Sequence, residues 1–237
     1  MRGTTLGLVA LAVAVLPGAA QAQLQEPTRF SAGGALIGAR PQGDFRVVGE
    51  DVWGLGVHGI VRLDRAGWLA LRADAGFMNY GSEEQRVPLA ETGRILLEVN
   101  TTNSIAFVTV GPELALPIGP IRPYVTGGIG FAYLATTSSI SGIDDDEDFG
   151  STTHLDDATR ALTGAAGVRV PVSSGPAVFS IDLGAHYQDT GRARYLAEGD
   201  IVDEPDGTIS FVPRHSDADM LRVQLGVSVV IPRTVRR

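Results

Sequence analysis

The feature that most constrains this chain is an alternation of period two. From Ala177 to Tyr187, one parity holds Ala177, Phe179, Ile181, Leu183, Ala185 and Tyr187, and the other holds Ser180, Asp182, Gly184 and His186. Successive side chains of a strand point to opposite faces, so such a segment has one greasy side and one polar side. Leu221 to Ile231 repeats the pattern, with Leu221, Val223, Leu225, Val227, Val229 and Ile231 against Arg222, Gln224, Gly226 and Ser228. Trp53 to Leu63 does the same, setting Trp53, Leu55, Val57, Val61 and Leu63 against Gly54, Gly56, His58 and Arg62.

Eight such segments can be marked, at 29–39, 50–63, 68–81, 94–115, 121–136, 157–171, 177–190 and 217–231. Each is long for a soluble strand and meets the ~9–11 residues that a tilted membrane strand needs. The connections alternate in length. Asp64–Gly67, Leu116–Pro120 and Val172–Pro176 are tight turns, whereas 40–49, 82–93, 137–156 and 191–216 are long and polar. Short turns at one end, long loops at the other and an even strand count mark an outer-membrane type of barrel. The expected fold is all-β: an eight-stranded antiparallel up-and-down transmembrane β-barrel with short periplasmic turns and long extracellular loops. Asp206-Gly207 between β-rich flanks signals a hairpin standing above the membrane. Residues 93–103 continue the alternation of the fourth strand beyond the bilayer.

The start of the chain fits the export that such a fold requires. Arg2 precedes the apolar run Leu6–Leu16, Pro17 and Gly18 break it, and Ala20-Gln21-Ala22 gives a small-x-small cleavage pattern. The run falls short of the ~20 apolar residues of a spanning helix. The sequence therefore predicts a signal peptide over 1–22 and a single barrel domain over 23–237. A formal charge of −8 argues against a nucleic-acid partner, because phosphate binding needs a basic surface. With no cysteine there is no disulfide framework and no thiolate chemistry. Nothing in the sequence calls for a cofactor or a metal.

The polar parity carries Arg62, Arg72, Asp74, Glu113, Arg122, Arg169, Asp182 and Arg222, interleaved with glycines such as Gly76, Gly128, Gly167 and Gly184. A narrow eight-stranded barrel has just enough interior for packed side chains, and large residues beside small ones would fill it. Charges in such a space must pair, since an unpaired buried charge is expensive. A ladder of Arg–carboxylate bonds is expected, with Arg72, Asp74, Asp182 and Arg222 near mid-height and Arg62, Glu113, Arg122 and Arg169 nearer the periplasmic mouth. Phe30, Trp53, Trp68, Tyr80, Tyr124, Phe131, Tyr133 and Tyr187 sit near strand ends, where interfacial girdles form. A soluble barrel carrying a lipophilic ligand would reverse the faces and enclose Leu183 and Leu225.

The segment Arg122-Pro123-Tyr124-Val125-Thr126-Gly127-Gly128-Ile129-Gly130 resembles the fifth strand of OmpA-like and OmpX-like eight-stranded outer-membrane barrels. Gln224, Gly226, Val229 and Ile231 resemble the last-strand signal read by the barrel-insertion machinery. That signal usually closes with an aromatic terminus, and here the chain runs on as Pro232-Arg233-Thr234-Val235-Arg236-Arg237. The resemblance implies residence in the outer membrane of a Gram-negative-type bacterium. It also implies contact with outer-membrane lipid and lipopolysaccharide, and a bare barrel without a peptidoglycan-binding domain. The role it implies is structural or surface-interacting, in envelope integrity or in adhesion to an extracellular protein through the loops. A small selective or gated pore is the alternative, although open aqueous channels come with ~16–18 strands.

Some barrels of this size are lipid A acylases or deacylases, which need a nucleophile beside a base. His186, with Asp182 below it on the same face, is the candidate base. No serine falls beside it: Ser228 lies toward the periplasmic end, and Ser210 and Ser216 lie in a loop. The balance favours a protein that is not an enzyme. The acid run Asp144–Asp148, followed by Asp156-Asp157, reads as a solvated loop rather than a cation site.

Overall fold

A computed structural model describes residues 29–49, 52–88, 96–116, 118–119, 121–142, 148–173, 177–196, 200–203, 209–211 and 213–230. The signal peptide expected over 1–22 and the last position of the insertion signal, Ile231, lie outside the described residues.

Eight strands build the wall: β1 (Phe30–Pro41), β2 (Val52–Arg62), β3 (Leu69–Pro88), β4 (Leu96–Ala115), β5 (Arg122–Gly142), β6 (Asp148–Pro171), β7 (Val178–Thr190) and, after four short strands, β12 (Met220–Val230). Neighbours pair antiparallel, and β1 pairs with β12 from Ser31↔Val230 to Pro41↔Met220, so the sheet closes into a barrel. Closure leaves the wall no free edge, which is what hydrocarbon demands of a sheet.

Parity decides the direction of every side chain. Leu183, Leu225 and Val227 are about half exposed on the outside, while Arg72, Asp182 and Arg222 are enclosed. The greasy face turns outward all round the cylinder. The reversed arrangement, with Leu183 and Leu225 in a ligand cavity, is thereby overturned. Among the aromatics expected at the girdles, Phe30, Trp53, Trp68, Phe131, Tyr133 and Tyr187 do face outward. Tyr80 and Tyr124 do not: both are buried inside the bore. They share the parity of Met78 and Thr126, so alternation outranks nearness to a strand end.

At one end the connections are short. In the first turn the Asp64 carboxylate accepts hydrogen bonds from the backbone N–H groups of Trp68 (3.1 Å) and Leu69 (2.9 Å). These donors hold its pKa below the usual aspartate value. Gly67 completes the turn at φ 77°, a left-handed conformation that favours glycine.

The other end differs from the long polar loops expected there. β3, β4, β5 and β6 are 20, 20, 21 and 24 residues long. β2 accompanies β3 only to Trp53↔Asn79, and β7 accompanies β6 only to Ala161↔Thr190. Beyond that rim β3–β6 continue as a four-stranded sheet, through Pro88↔Leu96, Leu97↔Gly142 and Ser141↔Asp148. Much of 82–93 and 137–156 is therefore strand. The second stretch is rich in Thr and Ser, which suit a solvated strand as well as a loop. Thr101 pairs with Ser138 hydroxyl to hydroxyl at 2.7 Å, and Thr136 donates to Asn103 Oδ1 at 2.6 Å. The continuation of the fourth strand is present from Leu96. Asp156 and Asp157 lie in β6 rather than a loop, and Asp144–Glu147 fall outside the described residues.

The shorter side of the rim is capped. A 3-10 helix (Gly43–Val48) follows β1 and buries Phe45. Its ring packs edge-on against Tyr80 (5.3 Å between centroids) and Tyr195 (4.9 Å). The 191–216 connection folds into β8 (Arg192–Tyr195) paired with β11 (Arg214–Asp217), and β9 (Ile201–Asp203) paired with β10 (Ile209–Phe211). The latter pair forms the expected hairpin, although Asp206-Gly207 itself is outside the described residues. Arg214 clamps this region through two bonds to Asp200, Nε to Oδ2 at 2.7 Å and an Nη to Oδ1 at 2.8 Å. That carboxylate raises the pKa of Arg214.

Candidate functional site

The bore of the barrel is the only place where the fold gathers charged side chains in a dry space among the described residues. It is filled in two tiers.

The tier nearer the short turns is ionic. Arg72 donates to Asp74 through Nε (3.0 and 2.9 Å) and an Nη (2.8 Å), and its other Nη reaches Glu113 Oε2 at 3.2 Å. Arg169 straddles the same Glu113, with both Nη–O distances at 3.2 Å, and gives its Nε to Asp182 at 3.1 Å. Asp182 also accepts the hydroxyl of Tyr124 at 2.7 Å. The guanidinium carbons of Arg72 and Arg169 lie 5.2 and 4.9 Å from the centre of the Tyr124 ring, within cation–π range. His58 Nε2 stands 4.0 Å from Asp182. Glu113 and Arg169, expected nearer the mouth, are thus part of one knot with Arg72, Asp74 and Asp182.

Room for this knot comes from glycine. A Cβ on Gly167 would collide with the Tyr124 hydroxyl, and one on Gly184 would sit 2.7 Å from it. The two glycines pair with each other across β6 and β7, and Gly167 pairs with Tyr124 across β5.

The tier nearer the extracellular rim is apolar. Ile37, Met78, Ile105, Phe107, Leu134 and Met220 are all buried there, and the Phe45–Tyr80–Tyr195 cluster sits with them. A polar bore was expected throughout. The apolar tier was hidden because these six residues are spread over β1, β3, β4, β5 and β12, and several sit beside polar residues of the same parity, as Ile105 beside Asn103, Phe107 beside Thr109 and Met220 beside Arg222.

Three arginines depart from the expected ladder. Arg222 is completely buried, yet none of its three nitrogens has a hydrogen-bond partner. Its guanidinium instead stacks over Phe107, 3.9 Å from the ring centre. The nearby carboxylate of Asp74 is already held by Arg72, which is why the ladder stops short. Arg62 and Arg122 are half-buried at the short-turn mouth and form no ion pair among the described residues. Water at the mouth can solvate them. Arg122 even lies directly opposite Arg169 in register.

His186 is buried with neither ring nitrogen hydrogen-bonded. Asp182 does not orient it. Two residues separate same-face neighbours along a strand by roughly 7 Å, and Asp182 lies two such steps along β7 from His186, directly opposite Arg169. No hydroxyl nucleophile bonds to His186 or His58 among the described residues. In β12, Gln224 and Gly226 face the bore, and a Cβ on Gly226 would come within 2.6 Å of the Gly34 carbonyl oxygen. Val229 lies near the short-turn end, paired with Ala32.

Several solved structures are similar to this chain at low identity. The Neisserial surface protein A barrel is 12% identical with a TM-score of 0.46, covering 85% of this chain and 97% of that one. Ail, the attachment invasion locus protein of Yersinia pestis, is 14% identical with a TM-score of 0.46, covering 84% and 96%. The N-terminal β-barrel domain of Pseudomonas aeruginosa OprF is 15% identical with a TM-score of 0.30, covering 86% and 98%. Among curated protein sequences, none matches this chain. The family model of the outer membrane protein beta-barrel domain matches residues 8–229, and with a closed eight-stranded barrel that is greasy outside and charged within, the chain belongs to that family.

Proposed function

We propose that this protein is a non-enzymatic surface-interaction barrel of the outer membrane. Its partner would be an extracellular protein, engaged through the sheet that stands above the rim. The observation that carries this reading is the unequal height of the wall. β3–β6 exceed the membrane requirement by about ten residues each. Among the described residues, their outer members have no strand paired alongside beyond Asn79 on β3 and Ala161 on β6, and the short β8 contacts β6 and β5. Such edges are templates for an added strand. The sequence of the β3 extension contains Glu83, Glu84, Arg86 and Pro88, residue types that disfavour strand addition. On the β6 edge the stretch Phe149-Gly150-Ser151-Thr152-Thr153 carries neither charge nor proline, between Asp148 and the Asp156-Asp157 pair, and it is the acceptor we favour.

The filled bore weighs against an open pore, and the lack of a hydroxyl bonded to His186 among the described residues weighs against a lipid-modifying enzyme. Export through a cleaved leader at 1–22 and contact with lipopolysaccharide belong to the same reading.

The test is adhesion of cells displaying the protein to extracellular proteins or to host cells. A variant with 137–154 replaced by a short turn should lose most of the binding while keeping the boiling-dependent gel shift of a closed barrel. Equal adhesion by the two would defeat the proposal. Lipid A mass spectra unchanged by expression are expected, and an altered acyl pattern would instead favour an enzyme.

A further inference from the structure

The two tiers of the bore meet at Arg222 on β12 and His186 on β7, which lie directly opposite each other in register. Both are fully enclosed, and together they present five side-chain nitrogens with no hydrogen-bond partner. Every interior carboxylate in the ionic tier is already taken. Asp74 is held by Arg72, Glu113 by Arg72 and Arg169, and Asp182 by Arg169 and Tyr124. Phe107 covers one face of the Arg222 guanidinium but leaves its N–H edges free to donate.

Water could supply hydrogen bonds here, but not charge. Arg62, Arg72, Arg122, Arg169 and Arg222 outnumber Asp74, Glu113 and Asp182 along the bore, so the described interior carries a surplus of positive charge. A guanidinium sealed beneath an apolar tier is costly without a counter-charge. Arg62 and Arg122, which form no ion pair among the described residues, add to the attraction for anions at the periplasmic mouth.

We propose that Arg222 and His186 form an enclosed binding site for a small inorganic anion of halide size. The anion accepts hydrogen bonds from the Arg222 guanidinium and from one ring N–H of His186, and it serves as the counter-ion of the bore. Arg222 and His186 are almost wholly buried and the Phe107 ring covers one guanidinium face, so only a monatomic or similarly compact ion fits the proposal.

Crystals of the full-length protein soaked in bromide test this directly. An anomalous peak within hydrogen-bonding distance of the Arg222 nitrogens is expected, and its loss in Arg222→Met. A water molecule in that place, with no anomalous signal, overturns the proposal. In solution, the thermal midpoint of the wild-type protein should rise with chloride and not with gluconate at equal ionic strength, since gluconate is too large to enter. Arg222→Met should abolish the chloride dependence while retaining the gel shift. Should that variant not fold, the wild-type chloride-against-gluconate comparison decides alone, and His186→Gln should weaken the dependence without abolishing it. Identical midpoints in the two salts also overturn the proposal.

Discussion

Tyr124 donates a 2.7 Å hydrogen bond to Asp182 across the bore, while its ring lies within cation–π range of the guanidinium of Arg169. One side chain therefore touches both an anion and a cation of the ionic tier. Tyr124→Phe keeps the ring and removes the bond to a buried charge. It should lower stability by about 1–3 kcal/mol, read as a lower urea midpoint for loss of the compact gel form. An unchanged midpoint would show that Arg169 alone satisfies Asp182.

Gly184→Ala places a methyl group 2.7 Å from the Tyr124 hydroxyl. Overpacking of this kind costs about 1–3 kcal/mol. The cost should shrink when Gly184→Ala is combined with Tyr124→Phe, because the colliding oxygen is gone. A double-mutant cycle of urea midpoints measures this coupling, and strict additivity would place the strain elsewhere.

Glu113 is shared by Arg72 and Arg169 and is almost wholly buried. Glu113→Gln leaves two arginines with one fewer counter-charge. Breaking a buried ionic group from one side costs about 3–5 kcal/mol. The same urea titration should show this as the largest single loss in the ionic tier.

Asp64 works at the water-facing end, outside the spanning strands. Its pKa is lowered in the fold by backbone donors at Leu69 and Trp68. A depressed carboxylate contributes stability that is complete above its unfolded pKa, about 3.9, and is lost as pH falls through the folded value. Turn stability should therefore be flat from neutral pH down to about pH 4 and decline below it. Amide hydrogen exchange at Trp68 and Leu69 should follow that decline, and Asp64→Asn should flatten it.

Phe45 closes the short side of the rim against Tyr80 and Tyr195. Phe45→Ala should cost about 3 kcal/mol. The loss should be local, seen as faster proteolysis within 192–217 while the barrel keeps its gel shift. A barrel that loses its gel shift would mean that the cap and the wall unfold together.

Most of the architecture was legible because period-two alternation is a direct projection of a strand with two different surroundings. The closed eight-stranded barrel and the direction of its greasy face followed from residues such as Leu183 and Asp182. Strand length was harder. Thr101, Thr136 and Ser138 look like loop residues by polarity, yet bond across strands in water above the membrane. In the bore, the sequence could name Arg72, Asp74, Glu113, Arg169 and Asp182 but could not say who meets whom. That depends on register, which sets Arg169 against Asp182 and leaves His186 facing Arg222. Tyr124 was available to the same reading, since its parity matches Arg122 and Thr126; position near a strand end obscured it.

The four tall strands are consecutive in the wall, so what rises above the rim is one continuous blade set to a single flank. A strand docking on either margin of that blade would stand above β2 or β7, in line with the wall and outside the bore. The proposed partner strand would then be separated from the ionic tier by the apolar tier that fills the bore near the rim.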